Sequence, residues 1–291
     1  MEKQNYQKVI TSKRKLFDLK VKETFRYKDL ILLFVKRDFV AQYKQTILGP
    51  LWAIIQPLLT TLVFTVIFGT LANLTTLDVA GNYVLPAFLF YMAGNICWNY
   101  FSQTLSATSK TFINNRATMS KVYYPRLVSP IATTISNLIS FAIQFILFII
   151  IWAVYLIVGG TDITITPKIL LIFPTILQLM LLSLGCGIII SSVTTKYRDL
   201  AMLVSFGLQL WLYASPIAYG LELINANVSH LTWLYMLNPI APIVTTFRYG
   251  VFGFGYFNLT YYLISWGITL LIFFIGLLSF SRVERNFADT I

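Results

Sequence analysis

The stretch RDFVAQYKQTILGPLWAIIQPLL, from Arg37 to Leu59, changes from polar to apolar chemistry in its middle. Its first half carries charged and amide side chains, and its second half begins an uncharged apolar run over residues 51–72. Gly49 and Pro50 mark the corner, because proline suits the first turn of a helix and glycine leaves the preceding backbone free. A basic segment that stops at a proline-led apolar run is typical of the cytoplasmic foot of a first membrane span.

The composition of the whole chain indicates a membrane protein. Of its 291 residues, 57% are hydrophobic and only 11% are charged, which is too apolar for an ordinary soluble domain. The net charge of +11 would suggest nucleic acid on a soluble surface. Here the basic residues cluster beside apolar runs, so we expect membrane lipids and no nucleic acid as partners.

Six apolar runs satisfy the length of roughly 20 residues that a membrane-spanning helix requires. We predict spans at 51–72, 84–105, 128–158, 169–194, 200–218 and 259–280. Charges interrupt the segment 25–47, which we interpret as an interfacial amphipathic helix in the headgroup layer, with a soluble helix packed on a partner protein as the alternative. Residues 1–24 form a cytoplasmic N-terminal tail in this interpretation, and residues 25–291 form one transmembrane domain.

Basic residues occur on alternate connections between these runs. Of the 22 lysines and arginines, all but Lys168 and Arg248 fall in four places: the N-terminal segment, the connection between spans two and three, the connection between spans four and five, and the C-terminal tail. Because cytoplasmic loops retain positive charge, this pattern places both termini in the cytoplasm. The fold class predicted is an all-α, polytopic (multi-pass) membrane protein.

The segment 238–257 is apolar and aromatic but does not fit a seventh span. Pro239, Pro242 and three glycines interrupt it, and Arg248 lies within it. A span that faces lipid cannot leave so much backbone without hydrogen bonds. A seventh span would also place the basic tail on the outer side. We therefore predict an outer re-entrant element between spans five and six.

The sequence offers little for catalysis or for ATP binding. The single histidine, His230, lies in a predicted outer loop, and the acidic residues lie in tails and connections. Both facts disfavour an ion-coupled relay and a membrane enzyme. The pair Gly-Lys, which the phosphate-binding loop of ATPases requires, never occurs. We expect no enzyme activity, no metal site and no cofactor in this chain, with ATP and Mg bound by a partner subunit.

Neutral polar residues replace charges inside the predicted spans. Thr133, Asn137, Ser140 and Gln144 are spaced by four, three and four, which places them on one face of the third span. Such groups either hydrogen-bond between helices or line a pathway. Aromatic residues belong either to interface belts and packing or to surfaces that stack on sugar rings. The candidates for lining a channel are Gln56, Tyr91, Asn95, Trp98, Asn137, Gln144 and Trp211.

Two basic stretches on the predicted cytoplasmic side are interpreted as docking surfaces. The stretch KTFINNRATMSKVYYPR, at 110–126, carries four positive charges and no negative charge. It is consistent with a short amphipathic helix that ends before Pro125. The second stretch is KYRD at 196–199. The general excess of positive charge on cytoplasmic loops would equally explain both.

The order of these features resembles one known family. A basic amphipathic segment is followed by ILGPLWAIIQPLL at 47–59, KVYYPRLVSP at 121–130 and KYRDL at 196–200. This order resembles the membrane subunit of ABC-2-type transporters. It is most similar to the permeases that export lipid-linked polysaccharides such as O-antigen (a lipopolysaccharide component), capsule-type glycans and wall teichoic acids. The pair Asn-Pro at 238–239 and the closing ERNFAD at 284–289 also match that family.

The resemblance implies a homodimer of permeases with six spans each, combined with two copies of a separate ABC ATPase in the bacterial cytoplasmic (inner) membrane. It implies a polysaccharide substrate on an undecaprenyl pyrophosphate-type lipid. Arg37, Lys44 and Gln42 would attract the pyrophosphate at a lateral gate. The residues that couple to the ATPase would be Asn114, Arg116, Lys121, Tyr123, Tyr124 and Arg198, and the outer gate would contain Asn238, Pro239 and Arg248.

Two other functions are weighed against polysaccharide export. An ABC-2 exporter of small amphiphiles, such as drugs or lipids, would share the whole architecture and would differ only in its cargo. A membrane-embedded glycosyltransferase or acyltransferase belongs to a different class of protein. The absence of acidic and histidine clusters near the predicted membrane face disfavours that enzyme.

Overall fold

The fold was described from a computed structural model. It covers residues 21–44, 46–71, 85–119, 121–122, 124–159, 163, 166–194, 199–221, 224 and 232–286, and within these ranges the chain forms helices and turns and no β-strand. In chain order the helices are α1 (Val21–Arg26), α2 (Lys28–Tyr43), α3 (Trp52–Phe64), α4 (Ala87–Ser109), α5 (Thr111–Asn114), α6 (Arg116–Met119), α7 (Val128–Val158), α8 (Ile172–Thr194), α9 (Leu200–Tyr213), α10 (Thr232–Met236), α11 (Ile240–Phe252) and α12 (Leu259–Asn286).

Four continuous helical segments of the described chain are long and apolar enough to cross a membrane. They are Gly49–Leu71, Val128–Val158, Pro167–Thr194 and Leu259–Ser281. The first joins α3 to a 3₁₀ turn before it and a π-helical turn, Thr65–Leu71, after it. The protein is therefore helical and multi-pass, as the sequence predicts, while the count of six spans stays a prediction.

Two predicted spans differ from these four for physical reasons. Helix α4, predicted at 84–105, is long enough at about 34 Å, but polar side chains such as Asn95 lower its hydropathy, and it lies in the centre of the protein. Helix α9 was predicted to reach residue 218, but it ends at Tyr213, before a series of turns that contains Pro216. Its 14 residues extend about 21 Å, less than the hydrocarbon thickness of a bilayer.

The interfacial helix predicted at 25–47 extends in the described chain over residues 21–43 and is broken at Tyr27. Helix α1 is followed by α2, which ends at Tyr43, because Lys44 adopts an extended backbone. One face of α2 packs Ile31, Phe34 and Val35 against the start of α7. The other face exposes apolar side chains, including Leu33. A helix with apolar groups on both sides suits a position between protein and lipid.

The corner predicted at Gly49 and Pro50 is confirmed. Gly49 has a φ of +52°, in the left-handed region that glycine adopts at little cost, and Pro50 lies in the first turn of the helical segment that follows. The change from polar to apolar chemistry in the sequence therefore coincides with a change in chain direction.

The helices α4, α8 and α12 pack closely in the centre. A Cβ added at Gly185 of α8 would lie 2.8 Å from the Cα of Phe273 in α12, and one added at Gly276 would lie 2.8 Å from the carbonyl oxygen of Gly185. A Cβ at Gly187 would overlap the side chain of Thr108 in α4. Small residues of this kind let helix backbones approach each other in membrane proteins.

The molecule has two distinct ends. At the end that carries Arg37 and Lys110, here called the basic end, Thr194 of α8 donates a hydrogen bond to the carbonyl oxygen of Ser109 at 2.9 Å. At the opposite end, α11 lies among α4, α8 and α12, and all its residues except Tyr249 are buried. At about 20 Å, α11 is too short to span a bilayer. That size suits the predicted re-entrant element, which itself stays a prediction.

Candidate functional site: a polar cleft beside helix α2

A cleft of about 740 Å³ opens at the basic end, between α2, α4, α5 and α7. The apolar exceptions in its lining are two alanines, and the remaining side chains are charged or capable of hydrogen bonding. The lining residues are Arg37, Asp38, Ala41, Gln42, Ser102, Gln103, Ser106, Ala107, Lys110, Thr111, Asn114, Asn115, Thr133, Ser136 and Asn137. A polar cleft of this size, placed among apolar helices, is suited to a polar or anionic ligand.

Arg37 is the most highly connected cation of the cleft. Its Nη2 lies 2.7 Å from Asp38 Oδ1, and its Nε donates to the same oxygen at 2.9 Å. Its Nη2 also donates to Asn115 Oδ1 at 3.1 Å, and its guanidinium lies 4.4 Å from the ring centre of Phe34. Arg37 thereby connects α2 to the turn between α5 and α6.

The polar face predicted on α7 makes interhelical hydrogen bonds and also lines the cleft. Thr133 and Asn137 belong to the lining, while Gln144, farther along α7, is buried. The bonds are Thr133 Oγ1 to Asp38 Oδ2 at 3.4 Å, Asn137 Nδ2 to Thr104 Oγ1 at 3.3 Å, and one shared by Tyr43 Oη and Ser140 Oγ at 3.1 Å. The two interpretations of this face are thus compatible with each other.

The residues predicted to attract a pyrophosphate separate in the structure. Arg37 and Gln42 line the cleft, but Lys44 does not. Lys44 is exposed on the turn after α2, because the helix ends four residues before its predicted end. Lys110 lines the cleft in its place, at the junction of α4 and α5. In the sequence, Lys110 is distinguished only as one of the four positive charges of the basic stretch 110–126.

The residues predicted to couple to an ATPase lie in different environments. Asn114 lines the cleft and Lys121 is exposed. Tyr123, Arg198 and the side chain of Arg116 lie outside the described residues. Tyr124 is only 4% exposed: its ring meets the edge of Phe34 at 5.4 Å, and its hydroxyl shares a hydrogen bond with Ser129. Burial raises the pKa of Tyr124. In this structure Tyr124 packs between α2 and α7 and is too buried to contact another protein.

Most predicted channel residues lie inside the helix packing. Tyr91, Asn95 and Trp98 are buried in α4, and Asn95 Nδ2 donates to Thr61 Oγ1 of α3 at 3.3 Å. Gln56, by contrast, is exposed on α3. In this conformation the buried members support helix packing, and their role in lining a channel stays a prediction.

Arg248, predicted for the outer gate, is 6% exposed and is surrounded by backbone carbonyl groups. It donates to the carbonyl oxygens of Pro216 at 2.6 Å, Ile217 at 3.0 Å and Phe90 at 3.3 Å. Its guanidinium also stacks on the Phe90 ring, 3.5 Å from the ring centre. These contacts provide hydrogen bonds for the carbonyl groups of the turn after α9 and join that turn to α4 and α11. They also reduce the free-energy cost of burying the guanidinium charge.

Asn238 and Pro239 connect the same turn to α11 and α12. The Asn238 side chain accepts a hydrogen bond from Trp211 Nε1 at 2.9 Å and donates to the carbonyl oxygen of Ala214 at 2.9 Å. Ser265 of α12 donates to the carbonyl oxygen of Pro239 at 2.9 Å. An apolar cavity of about 530 Å³ adjoins Trp211, Asn238 and Pro239. The predicted gate residues therefore form one connected region. The opening of this region as an outer gate stays a prediction.

Comparison with known sequences identifies the family. The sequence signature of the ABC-2 type transporter family matches residues 29–252, which extend from α2 through α11 and contain the whole cleft. This chain belongs to the ABC-2 type transporter family. The members are membrane-embedded transport subunits, in agreement with the resemblance inferred from the sequence motifs.

Three relatives with the same printed name are similar over most of their length. Two are O-antigen export system permease proteins RfbA of Klebsiella pneumoniae, each 27% identical. The first match covers 264 residues, 90% of this chain and 94% of the relative. The second covers 275 residues, 93% of this chain and 98% of the relative. The RfbA of Myxococcus xanthus is 27% identical over 229 residues, 78% of this chain and 82% of the relative.

Proposed function

We propose that this chain is the permease of an O-antigen-type export system, which moves a lipid-linked polysaccharide across the bacterial cytoplasmic membrane. The observation that carries the proposal is the similarity over almost the full length of two O-antigen export permeases. A match of this extent covers the helices around the cleft as well as the spans. The permease acts as a homodimer with two copies of a separate ATPase.

The polar cleft supports a role in loading the lipid-linked substrate. Its wall on α2 belongs to a helix with an exposed apolar face, so a lipid tail could stay in the membrane while a polar head reaches Arg37. Arginine pairs well with phosphate oxygens because its guanidinium donates two parallel hydrogen bonds. We assign Arg37 and Gln42 to recognition of the pyrophosphate.

The energy for transport comes from the partner ATPase in this proposal. No Gly-Lys pair exists anywhere in the sequence, so the usual phosphate-binding loop is missing. Helices α5 and α6 and the exposed residues Lys121 and Val122 lie at the basic end and form the surface on which the ATPase docks. The basic end faces the cytoplasm, in keeping with the distribution of lysine and arginine.

The first experiment is deletion of the gene, followed by complementation with the wild type, Arg37→Gln or Lys28→Gln. Lys28 is an exposed lysine of α2 outside the cleft, and its variant serves as the matched control. We expect the deletion and Arg37→Gln strains to lose surface glycan and to accumulate its lipid-linked precursor, while Lys28→Gln behaves as the wild type. Normal surface glycan in the deletion strain, together with altered drug or lipid sensitivity, would favour an exporter of small amphiphiles.

Partners are tested separately, by purification of the tagged protein in mild detergent and mass spectrometry of the proteins and lipids that accompany it. We expect an ATPase in equal amount and a polyprenyl-linked glycan. A solitary permease, also in nanodiscs, would contradict the proposed complex.

A further inference from the structure

We propose that Lys110 is the second cation of the cleft and that, together with Arg37, it selects a diphosphate head over a monophosphate head. This inference rests on the proposed function for the identity of the lipid carrier. It concerns a residue to which the sequence patterns assigned no part in ligand binding.

The position of Lys110 supplies the first argument. Its backbone N–H donates to the carbonyl oxygen of Ala107 at 3.3 Å, and it ends α4 at the point where α5 begins. Its side chain is half-buried and lines the cleft, which Arg37 lines from α2. The two cations thus come from different walls of one cavity of about 740 Å³.

The pairing of the two cations supplies the second argument. Arg37 is already engaged by the carboxylate of Asp38 and the amide of Asn115. Lys110 Nζ makes no hydrogen bond or ion pair with any part of the chain that the structure describes. Asp38 is the single carboxylate among the lining residues, so Lys110 is the cation whose charge the cleft does not compensate.

The chemistry of the ligand supplies the third argument. A diphosphate carries adjacent phosphoryl groups, and a flexible lysine on one wall can contact one group while the Arg37 guanidinium, held in place by Asp38 and Asn115, contacts the other. Neutral donors such as Gln103 and Asn114 are available for the remaining oxygens. A monophosphate has a single phosphoryl group, which one cation can contact, so its binding affinity depends less on Lys110.

Lys44 provides a matched control within the same chain. It is a lysine of the same charge at the same end of the molecule, but it is exposed and lies outside the cleft. If attraction of an anion to general positive charge were sufficient, neutralising Lys44 or Lys110 would have the same effect. If the cleft itself binds the diphosphate, neutralising Lys110 weakens binding and neutralising Lys44 does not.

The test measures binding of farnesyl diphosphate and farnesyl monophosphate to the full-length permease in phosphatidylcholine nanodiscs. We expect Lys110→Gln to weaken diphosphate binding by about tenfold and monophosphate binding by much less, with Lys44→Gln unchanged and Lys110→Arg close to the wild type. Retained diphosphate affinity in Lys110→Gln, or an equal loss for both ligands, would overturn the proposal. A normal melting temperature of Lys110→Gln confirms that the variant is folded.

Anionic phospholipid is the other source of a phosphate group, and a second set of nanodiscs with phosphatidylglycerol distinguishes it. Displacement of the diphosphate by that lipid would identify the cleft as a phospholipid site and overturn the inference. Export in cells is scored independently. If diphosphate binding depends on Lys110 but the deletion strain still displays normal glycan, the proposed function alone is refuted. If the deletion strain loses its glycan but Lys110→Gln keeps full affinity for the diphosphate, the inference alone is refuted.

Discussion

The guanidinium of Arg248 occupies the space that a side chain at position 94 would need, since a Cβ added to Gly94 would overlap Arg248 Nη2. The glycine in α4 therefore allows a cation in α11 to reach the carbonyl oxygens of Pro216 and Ile217. The absence of a side chain at Gly94 in α4 and the buried position of the Arg248 charge in α11 therefore depend on each other.

Gly94→Ala is predicted to destabilise the protein. The added methyl group displaces the Arg248 guanidinium and leaves a buried charge with fewer hydrogen bonds, which lowers the free energy of unfolding by about 2–4 kcal/mol. The melting temperature in detergent measures the effect. Gly207→Ala is the control, because a Cβ at that glycine of α9 meets no atom within 4 Å. Equal melting temperatures for the two variants would contradict the prediction.

Asn238→Ala is predicted to loosen the turn after α9. The variant loses the acceptor for Trp211 Nε1 and the donor to the Ala214 carbonyl oxygen, at a cost of about 1–3 kcal/mol. Limited proteolysis and melting temperature report the change. Asn99→Ala in α4 is the comparison, since the structure gives the Asn99 side chain no hydrogen bond within the described chain. Similar effects at Asn238 and Asn99 would argue against this assignment.

Tyr124→Ala and Val122→Asp are predicted to separate stability from docking. Tyr124→Ala removes a buried ring between α2 and α7 and costs about 3–5 kcal/mol, whereas Tyr124→Phe retains the ring. Val122 is 58% exposed, so Val122→Asp leaves the melting temperature unchanged and reduces co-purification of the ATPase. An intact complex with Val122→Asp would show that the ATPase docks on another surface.

Asp38→Asn is predicted to strengthen binding of farnesyl diphosphate. The substitution removes the carboxylate that holds Arg37 and repels an incoming anion, and the affinity rises by about twofold to fivefold. Titration in nanodiscs measures the change, with Asp29→Asn as control, because Asp29 is exposed and outside the cleft. Weaker binding by Asp38→Asn would mean that the carboxylate orients Arg37 for the ligand.

Sequence patterns predicted the elements that local chemistry determines. The third span was predicted at 128–158, and α7 has these bounds, because a long, uncharged and mainly apolar run determines both the length of the span and its helical conformation. The corner at Gly49 and Pro50 follows in the same way from backbone preferences of two residues.

Positions that depend on tertiary neighbours were not accessible to such patterns. The sequence around Tyr124 reads as a basic surface, but α2 covers the tyrosine, and only the packed structure provides that helix. Lys110 and Lys44 are equivalent as charges near a membrane, and the cavity between four helices distinguishes them. Helix α2 ends at Tyr43, so Lys44 lies beyond it on an exposed turn, whereas the junction of α4 and α5 places Lys110 in the cavity.

The close approach of α8 to α12 at Gly185 and Gly276, and of α4 to α8 at Thr108 and Gly187, has a mechanical consequence. Backbones in contact cannot slide or separate without creating voids, so these three helices behave as a stationary frame. Helix α9 has no buried residue within the single chain and so makes fewer constraining contacts with the rest of that chain. Helix displacements during transport are therefore expected at peripheral helices such as α9 and not among α4, α8 and α12.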